Sequence, residues 1–334
     1  MTTFVLGAGA SYHAGYPLAG ELGESLYDWI SCNIPEGNFW RGCIEELHEL
    51  YGGLEDIESI LTELEECPPG SRAATLTGNI RASVRVCIPE FFNGLRKAQA
   101  LLYDQMASER MKPGDVVITF NYDLACERSL RSAGLWEISD GYGFGIPLDA
   151  IPPSKVKMLK LHGSTNWFVP VLGGRRGFFQ LGPDALPSRP VILYPQDFEF
   201  LSYSGELCDP LCARESKPGI RPAIITLTRH KRFYDETSLG VRELEEFWRD
   251  IWTQAECALQ SSEKIVIIGY SMPTADEAAR TLLLNTPNKD ASVTICSGNR
   301  SAAIRDEFGW HGFKRLETPR NGLFEEFLGG QPSR

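Results

Sequence analysis

The first eleven residues of the chain, MTTFVLGAGAS (Met1–Ser11), predict a buried strand followed by a tight glycine turn. The run Thr3–Leu6 is β-branched or apolar, which is typical of a strand that is buried on both faces of a parallel sheet. Gly7 and Gly9 then allow a tight turn and a close approach of a phosphate to the backbone, and we expect a helix to begin near Pro17. The third glycine of a GxGxxG fingerprint would fall at Tyr12, so the turn favours a nucleotide-binding geometry other than that of a dehydrogenase.

Four more runs share the character of the first, and most of them are followed by a helical pattern. The five predicted strands are Thr3–Leu6, Val116–Phe120, Val156–Leu161, Lys264–Ile268 and Ser292–Cys296. The predicted helices after the second, fourth and fifth strands are Asp123–Arg131, Thr274–Leu284 and Asn299–Phe308. This alternation predicts an α/β fold with a doubly wound, Rossmann-like parallel sheet.

Two segments interrupt the alternation. Residues 21–112 have apolar residues at helical spacing, as at Leu54, Ile57, Ile60 and Leu61, and are predicted to be a helical insertion. Residues 168–240 are rich in proline, glycine and aromatic residues and are predicted to be a loop and short-strand insertion. An amphipathic helix beginning at Val241 then leads into the fourth strand. We expect residues 1–334 to form one domain that carries both insertions.

Composition excludes several classes of protein. With 33 Lys and Arg against 44 Asp and Glu, the formal net charge is −11, which argues against broad nucleic-acid binding. The basic run Arg229–Arg232 is most simply a solvated loop. Nine cysteines without a CxxC pair fit a reducing compartment, and the N-terminus lacks the pattern of a signal peptide. The apolar runs are too short to span a bilayer, so we expect a cytoplasmic protein.

Small polar residues follow each predicted strand. They are Gly7–Ser11, Asn121–Asp123, His162–Ser164, Gly269–Ser271 and Ser297–Asn299. Each group alone is explained by a helix cap or a turn. Because the carboxyl ends of parallel strands share one edge, five such groups together favour a polar crevice that binds a ligand.

Three of these residues are candidate catalytic residues. His162 can take or give a proton near neutral pH, and Asn121 can orient a water molecule or a hydroxyl group. Asp123 has two interpretations of equal weight: it offsets positive charge in the site, or it caps the helix that follows it.

These motifs, taken in order, resemble those of the sirtuin family. The family pattern GAG-x-S, TQN-x-D, HG, G-[TS]-S and a late Asn corresponds here to Gly7–Ser11, Thr119–Asp123, His162-Gly163, Gly269–Ser271 and Ser297–Asn299. The segments Ala14–Leu18, Leu161–Trp167 and Ile268–Pro273, with Asp276, are similar to the bacterial anti-phage branch, whose members hydrolyse NAD.

The resemblance implies a role for each candidate residue. It places the NAD pyrophosphate at Gly7, Ala8, Gly9 and Ser11, and the nicotinamide ribose at Asn121 and His162. It places the adenosine end towards Ser271 and Asn299, and Gly269 and Ser297 are expected to bind NAD as well. NAD is then the substrate, and no further cofactor is implied.

Two departures separate the chain from the deacylases of that family. It lacks the two CxxC pairs that hold a structural zinc, and Cys208 with Cys212 supplies at most two of four ligands, so we expect no metal. It also reads Pro17-Leu18-Ala19-Gly20 where deacetylases have PDFR. Both favour an NAD glycohydrolase that acts as an NAD-depleting effector of anti-phage defence. The alternatives are an NAD-dependent deacylase or ADP-ribosyltransferase, and a non-enzymatic NAD-binding regulatory subunit.

The motifs run from Gly7 to Asn299, so we expect almost the whole chain to be catalytic domain. An uncontrolled NAD hydrolase would drain its own cell. Control is therefore expected from a homo-oligomer or from a separate sensor or regulatory protein, including one that senses nucleic acid. The candidate surfaces are the acidic stretch Glu45–Glu66, residues 168–235 and the run Arg229–Arg232.

Overall fold

The computed structural model describes residues 1–66, 80, 83–84, 87–92, 94–95, 99–138, 140–144, 152–170, 191–192, 220–225, 241–274, 276–285 and 288–329. The run Arg229–Arg232, Cys208, Cys212 and most of the predicted insertion at 168–240 lie outside the described residues. Within these ranges the chain folds into two compact units. The first comprises Met1–Leu18, Arg96–His162 and Arg249–Arg334, and the second Ala19–Leu95 and Gly163–Trp248. The insertion boundaries 21–112 and 168–240 stay a prediction.

The first unit is built on a six-stranded parallel sheet. Its strands are β1 (Thr2–Leu6), β2 (Val116–Thr119), β3 (Lys157–Lys160), β7 (Lys264–Ile268), β8 (Ser292–Cys296) and β9 (Arg315–Glu317). The spatial order is β3-β2-β1-β7-β8-β9, and every neighbouring pair is parallel. The predicted α/β, doubly wound, Rossmann-like fold class is confirmed.

The order of the strands places a switch point in the middle of the sheet. Strand β1 pairs with β2 on one side and with β7 on the other, and the chain builds outward from β1 in both directions. Phe4, Val5 and Leu6 are buried, because helices cover both faces of the sheet. In such sheets ligands bind beyond the carboxyl ends of the strands at the switch point, which here lies between β1 and β7.

The helices connect these strands and also occur in the second unit. They are α1 (Ala8–Ser11), α2 (Leu22–Asn33), α3 (Phe39–Tyr51), α4 (Ile57–Glu65), α5 (Leu101–Glu109), α6 (Ala125–Ser132), α7 (Val241–Ser261), α8 (Glu277–Leu284), α9 (Ser301–Trp310) and α10 (Phe324–Leu328). The chain is already helical at Ala8, directly after the glycine turn, whereas Pro17 lies outside any helix. Helix α8 begins at Glu277 instead of Thr274, because the Asp276 side chain accepts a hydrogen bond from the Ala279 N–H and caps the helix there.

The second unit contains α2, α3, α4 and a three-stranded antiparallel sheet. Its strands are β4 (Gly163–Pro170), β5 (Val191–Ile192) and β6 (Ile220–Ile224), in the order β5-β4-β6. Gly163 is needed at the start of β4, because a Cβ atom there would lie 2.1 Å from the Ala223 carbonyl oxygen. Trp167 is fully buried, and its ring lies against those of Phe247 and Trp248. None of the helices in the described ranges combines the length and the apolar character that crossing a membrane requires.

Candidate active site at the carboxyl edge of the sheet

Two turns interlock at the switch point of the six-stranded sheet. The turn after β1 donates from the Gly7 N–H to the Ile268 carbonyl at 3.0 Å and from the Gly9 N–H to the Gly269 carbonyl at 2.9 Å. The turn after β7 is anchored in the same way, since the Gly269 N–H donates to the Cys296 carbonyl at 2.8 Å. Main chain therefore meets main chain at the centre of this edge.

The glycines are required by this contact. A Cβ atom at Gly7 would lie 2.5 Å from the Tyr270 Cα, and a Cβ atom at Gly269 would lie 2.0 Å from the Ala10 nitrogen. Gly269 also has a φ of +61°, a conformation that favours glycine. The glycine pattern of the sequence thus has a packing reason of its own, independent of any ligand.

The hydrogen bonds of the first turn limit how an anion could approach it. The Gly7, Gly9 and Ala10 amides all donate to main-chain carbonyls, the last of them to the Gly7 carbonyl at 2.9 Å. Within the described residues, Ala8 is the amide of this turn whose N–H has no acceptor. A phosphate at the turn would therefore be bound by the Ala8 N–H.

Asn121 ties the end of β2 to this turn. Its Nδ2 donates to the Gly7 carbonyl at 2.9 Å and to the Ser11 Oγ at 3.0 Å, and its main-chain N–H donates to the Thr119 Oγ1. The Gly7 carbonyl can only accept, which fixes the orientation of the amide. Both Nδ2 protons are used, so the group that Asn121 presents to a ligand is the Oδ1 acceptor.

Ser11 is the centre of a buried hydrogen-bond cluster. Its Oγ accepts from Asn121, donates to the Asp123 Oδ2 at 2.8 Å, and lies 2.9 Å from the Tyr103 hydroxyl. The Ser11 hydroxyl has one proton and donates it in the hydrogen bond to Asp123. Tyr103 is therefore the donor in the hydrogen bond between Tyr103 and Ser11. Burial and the Asp123 charge raise the pKa of Tyr103 well above its usual value, which keeps this donor protonated.

Asp123 is buried and has partners for both carboxylate oxygens. Its Oδ2 accepts from Ser11, and its Oδ1 accepts from the Ala125 N–H at 2.9 Å. The second bond is local and stabilises the first turn of α6, while the first reaches the turn after β1. The structure therefore combines the capping interpretation of Asp123 with a contact inside the cluster.

His162 follows β3 and forms a pair with Asp276. Its Nε2 lies 3.3 Å from the Asp276 Oδ2, and both side chains are almost completely buried. The imidazole ring lies 5.2 Å from the Phe120 ring, centroid to centroid. The Nε2 forms no hydrogen bond with the described residues, so the carboxylate acts on the imidazole through its charge, which stabilises the ring when it takes up a proton.

An aromatic wall stands beside this pair. The rings of Phe120 and Tyr270 stack with centroids 4.4 Å apart and an interplanar angle of 22°. The Ser297 Oγ supports the wall by donating to the Tyr270 carbonyl at 2.9 Å, and its N–H donates to the Ser301 Oγ. Ser297 thus supports the loop after β7 with its side chain.

Two of the residues that are predicted to bind NAD lie at the exposed rim of this edge. Ser271 and Asn299 are both exposed, the first in the loop after β7 and the second in the short turn of helix that follows β8. The next residue after Ser271, Met272, is buried with a φ of +50°, and its carbonyl accepts from Arg280 at 3.0 Å. A non-glycine residue held in this region is a sign of a loop whose shape is imposed by its surroundings.

Seven of the eleven candidate residues fall into three groups. Gly7, Gly9 and Gly269 share the main-chain contact, Ser11, Asn121 and Asp123 share the buried cluster, and His162 belongs to the pair with Asp276. Ala8, Ser271, Ser297 and Asn299 lie in the surrounding turns. The assignment of these residues to a ligand stays a prediction.

Sequence reasoning missed Tyr103, Asp276, Phe120 and Tyr270 as parts of the site. Asp276 and Tyr270 stood within quoted motifs, but only the fold shows the partners of their side chains. Tyr103 lies on α5, at a distance along the chain that no local pattern reveals. In the described part of the chain, no group of three or more His, Cys, Asp and Glu side chains is placed to hold a metal ion.

The solved structures that are similar to this chain include sirtuins. No family model matches the sequence, and no curated protein matches it. A Sir2 complex with p53 peptide and NAD+ is 15% identical, with a TM-score of 0.44, over 98% of this chain and 90% of that one. Sir2 bound to acetylated peptide is 15% identical, with a TM-score of 0.42 and the same coverage. Sir2Tm bound to a propionylated peptide is 16% identical, with a TM-score of 0.38, over 88% of this chain and 80% of that one.

Proposed function

We propose that this protein binds NAD at the carboxyl edge of the six-stranded sheet and hydrolyses the bond between nicotinamide and ribose. The observation that carries the proposal is the placement of Asn121. Its amide is locked by Gly7 and Ser11, and its Oδ1 is left as an acceptor at the switch point of the sheet. The ordered set of motifs that resembles sirtuins supports NAD as the substrate.

The reaction consumes NAD and water and yields nicotinamide, ADP-ribose and a proton. The C–N bond breaks through an oxocarbenium-like transition state, and nicotinamide leaves as a neutral group, so no strong nucleophile is required. Cys296, the last residue of β8, does not supply a thiolate nucleophile at neutral pH. Burial raises the pKa of its thiol to about 12, which keeps the thiol protonated.

Three side chains have roles in this proposal. Asn121 Oδ1 accepts a hydrogen bond from a ribose hydroxyl or from the attacking water. His162 takes the proton from that hydroxyl or water, and Asp276 stabilises the imidazolium that forms. Asp123 acts through Ser11, whose hydroxyl it orients as the second acceptor for the Asn121 amide.

Incubation with NAD alone tests the proposal. Purified protein in its assembled or partner-bound state is expected to release nicotinamide and ADP-ribose in equal amounts with no acylated peptide present, whereas the isolated monomer is expected to release them slowly. Asn121→Ala and His162→Ala are expected to abolish release while the protein stays folded, with some loss of stability because each removes a partner of a buried polar group. The matched controls are Asn285→Ala, at the exposed end of α8, and His311→Ala, an exposed residue after α9.

The same experiment separates the rival activities. Release that requires an acylated peptide would identify a deacylase, and transfer of label from NAD to protein would identify an ADP-ribosyltransferase. Binding of NAD without turnover under any condition would identify a regulatory subunit. Each of these results would overturn the glycohydrolase.

We further propose that the activity depletes NAD in bacterial anti-phage defence and is held off until the protein assembles or meets a partner. An activator of this kind must bind the competent state more tightly than the resting state. The kinetic test uses the isolated monomer. Turnover near ten per second, a usual enzymatic rate, without harm to an expressing host would contradict this control.

A further inference from the structure

Lys160 is a buried ammonium group that the proposed mechanism does not use. It is the last residue of β3, and only 1% of its surface is exposed. Lysine is almost never buried to this degree without partners, because removing its charge from water is costly. Its partners therefore indicate what the charge does.

All three protons of the Lys160 ammonium have acceptors. The Nζ lies 2.5 Å from the Asp123 carbonyl, 3.4 Å from the Tyr122 carbonyl and 2.7 Å from the Glu127 Oε1. Glu127 is on the first turn of α6 and also accepts from the Tyr142 hydroxyl at 3.2 Å. Burial raises the pKa of Glu127, and the Lys160 charge opposes that rise.

Two of these three contacts are to the main chain of one short segment. Asn121, Tyr122 and Asp123 are the central residues of the connection, 120–124, between β2 and α6. The side chains of Asn121 and Asp123 hold this segment to the turn after β1, and Lys160 holds its carbonyl groups. The segment is therefore bound through its side chains and through its backbone by different partners.

Stability alone does not account for a lysine at this position. A buried ion pair is often no more stabilising than an apolar pair of similar volume, because desolvation offsets the attraction. An apolar side chain at position 160, however, could not bind the Tyr122 and Asp123 carbonyls. The contacts to the carbonyl groups are what a lysine adds.

We propose that Lys160 is a positioning residue of the candidate site, which fixes the backbone of residues 121–123 and thereby the placement of the Asn121 amide. The catalytic part of this inference rests on the proposed NAD hydrolysis. The positional part concerns the segment itself and is measurable without any substrate.

The test removes the charge and its counter-charge together, so that no unpaired ion remains. The variant is Lys160→Met/Glu127→Leu/Tyr142→Phe, and Lys160→Leu/Glu127→Met/Tyr142→Phe is measured in parallel. Tyr142→Phe alone is the control, because it leaves Lys160 bound to all three of its acceptors. Amide hydrogen exchange at Asn121 and Ala125 reports on the segment, and steady-state kinetics with NAD report on turnover.

The expected result is local. Exchange at Asn121 and Ala125 rises about tenfold in the triple variants, while amides in β1 and β7 exchange at the wild-type rate. In an active wild type, kcat falls at least tenfold and KM changes less than threefold, since the residues that bind NAD remain. The Tyr142→Phe control keeps wild-type exchange and kcat.

Several results would overturn the inference. They are unchanged exchange at Asn121 and Ala125, faster exchange spread over the whole sheet, failure of both compositions to fold, and faster local exchange with an unchanged kcat in an active enzyme. A wild-type protein that does not cleave NAD would refute the proposed function instead. In that case the exchange measurement alone decides whether Lys160 positions the segment.

Discussion

The side-chain amide of Asn121 donates to the main-chain carbonyl of Gly7 at 2.9 Å, across 114 positions of the sequence. This bond joins the end of β2 to the turn after β1 and lies at the switch point of the sheet. It explains why an amide is suited to position 121. The Gly7 carbonyl requires a donor, which Nδ2 supplies, and this bond also fixes the orientation of the Oδ1 of the same amide.

The substitution Asn121→Asp tests this relationship with almost no change of shape. The carboxylate brings an oxygen against the Gly7 carbonyl, where no donor remains, so we expect a loss of about 1–3 kcal/mol in the free energy of unfolding. NAD cleavage is expected to fall at least a hundredfold. Urea unfolding and nicotinamide release measure the two effects, and wild-type values for both would contradict the assigned orientation of the amide.

The Asp276 carboxylate caps helix α8 and places a negative charge beside His162, and substitution can separate these two roles. Asn caps a helix as well as Asp, so Asp276→Asn is expected to keep the stability of α8 while removing the charge beside His162. Turnover is then expected to fall roughly 10- to 100-fold, because the imidazolium loses the carboxylate charge that stabilises it. Asp276→Ala should lose about 1 kcal/mol of stability in addition.

Thermal melting and NAD cleavage of the two Asp276 variants are measured side by side. If Asp276→Asn turns over NAD at the wild-type rate, the carboxylate serves only as a cap, and the role assigned to it beside His162 is wrong.

The interlocked turns predict a large difference between two Gly→Ala substitutions. Gly269→Ala combines a φ of +61° with a Cβ atom 2.0 Å from the Ala10 nitrogen, and we expect a loss of about 3 kcal/mol or more. Gly42 lies inside α3, and a Cβ atom added there would have no neighbouring atom within 4 Å, so Gly42→Ala should stabilise by about 0.5–1 kcal/mol. Chemical denaturation compares them, and equal effects would refute the packing argument.

Alkaline pH is expected to destabilise the protein in part through Cys296. Burial raises the pKa of its thiol from 9.0 to about 12, so the folded state keeps the proton after the unfolded state has lost it. The stabilisation is complete below pH 9 and is lost as the pH rises towards 12. At pH 10.5 this group accounts for about 2 kcal/mol, since each pH unit in that window contributes about 1.36 kcal/mol.

The measurement for this prediction is urea unfolding at pH 8 and pH 10.5, in the wild type and in Cys296→Ala. Tyr16, whose pKa burial raises to about 12, begins to titrate in the same range in both proteins and cancels in the comparison. The variant should lose about 2 kcal/mol less than the wild type between the two pH values. Parallel losses would show that Cys296 does not titrate in this way.

The parallel strands were predictable because burial on both faces makes each of them a continuous apolar run. β7 and β8 begin and end at the predicted residues, and β1 differs by one residue at its start. β9 was missed because an edge strand reading Arg-Leu-Glu has no such run. β4 was missed because Gly163–Asn166 is polar, and its pairing with β6 is a tertiary contact that no local pattern encodes.

The candidate site divides in the same way. Residues directly after the strands were predictable, because topology alone brings the carboxyl ends of parallel strands together. Tyr103, Asp276 and Lys160 were not, because each acts through a partner distant in sequence: Ser11, His162 and Asp123. The sequence therefore predicts which edge of the sheet holds the candidate site. It does not predict the hydrogen-bond network that supports the residues there.

The main-chain contact between the Gly7–Gly9 turn and Gly269 also bears on how this edge would respond to an inhibitor. Peptide groups present the same chemistry whichever residues encode them, and neither Gly7 nor Gly269 has room for a side chain. A compound anchored on the Ala8 N–H, between Gly7 and Gly9, would face a main-chain surface that substitution of either glycine cannot alter without disrupting the contact. The side chains that could change beside this contact include the stacked rings of Phe120 and Tyr270.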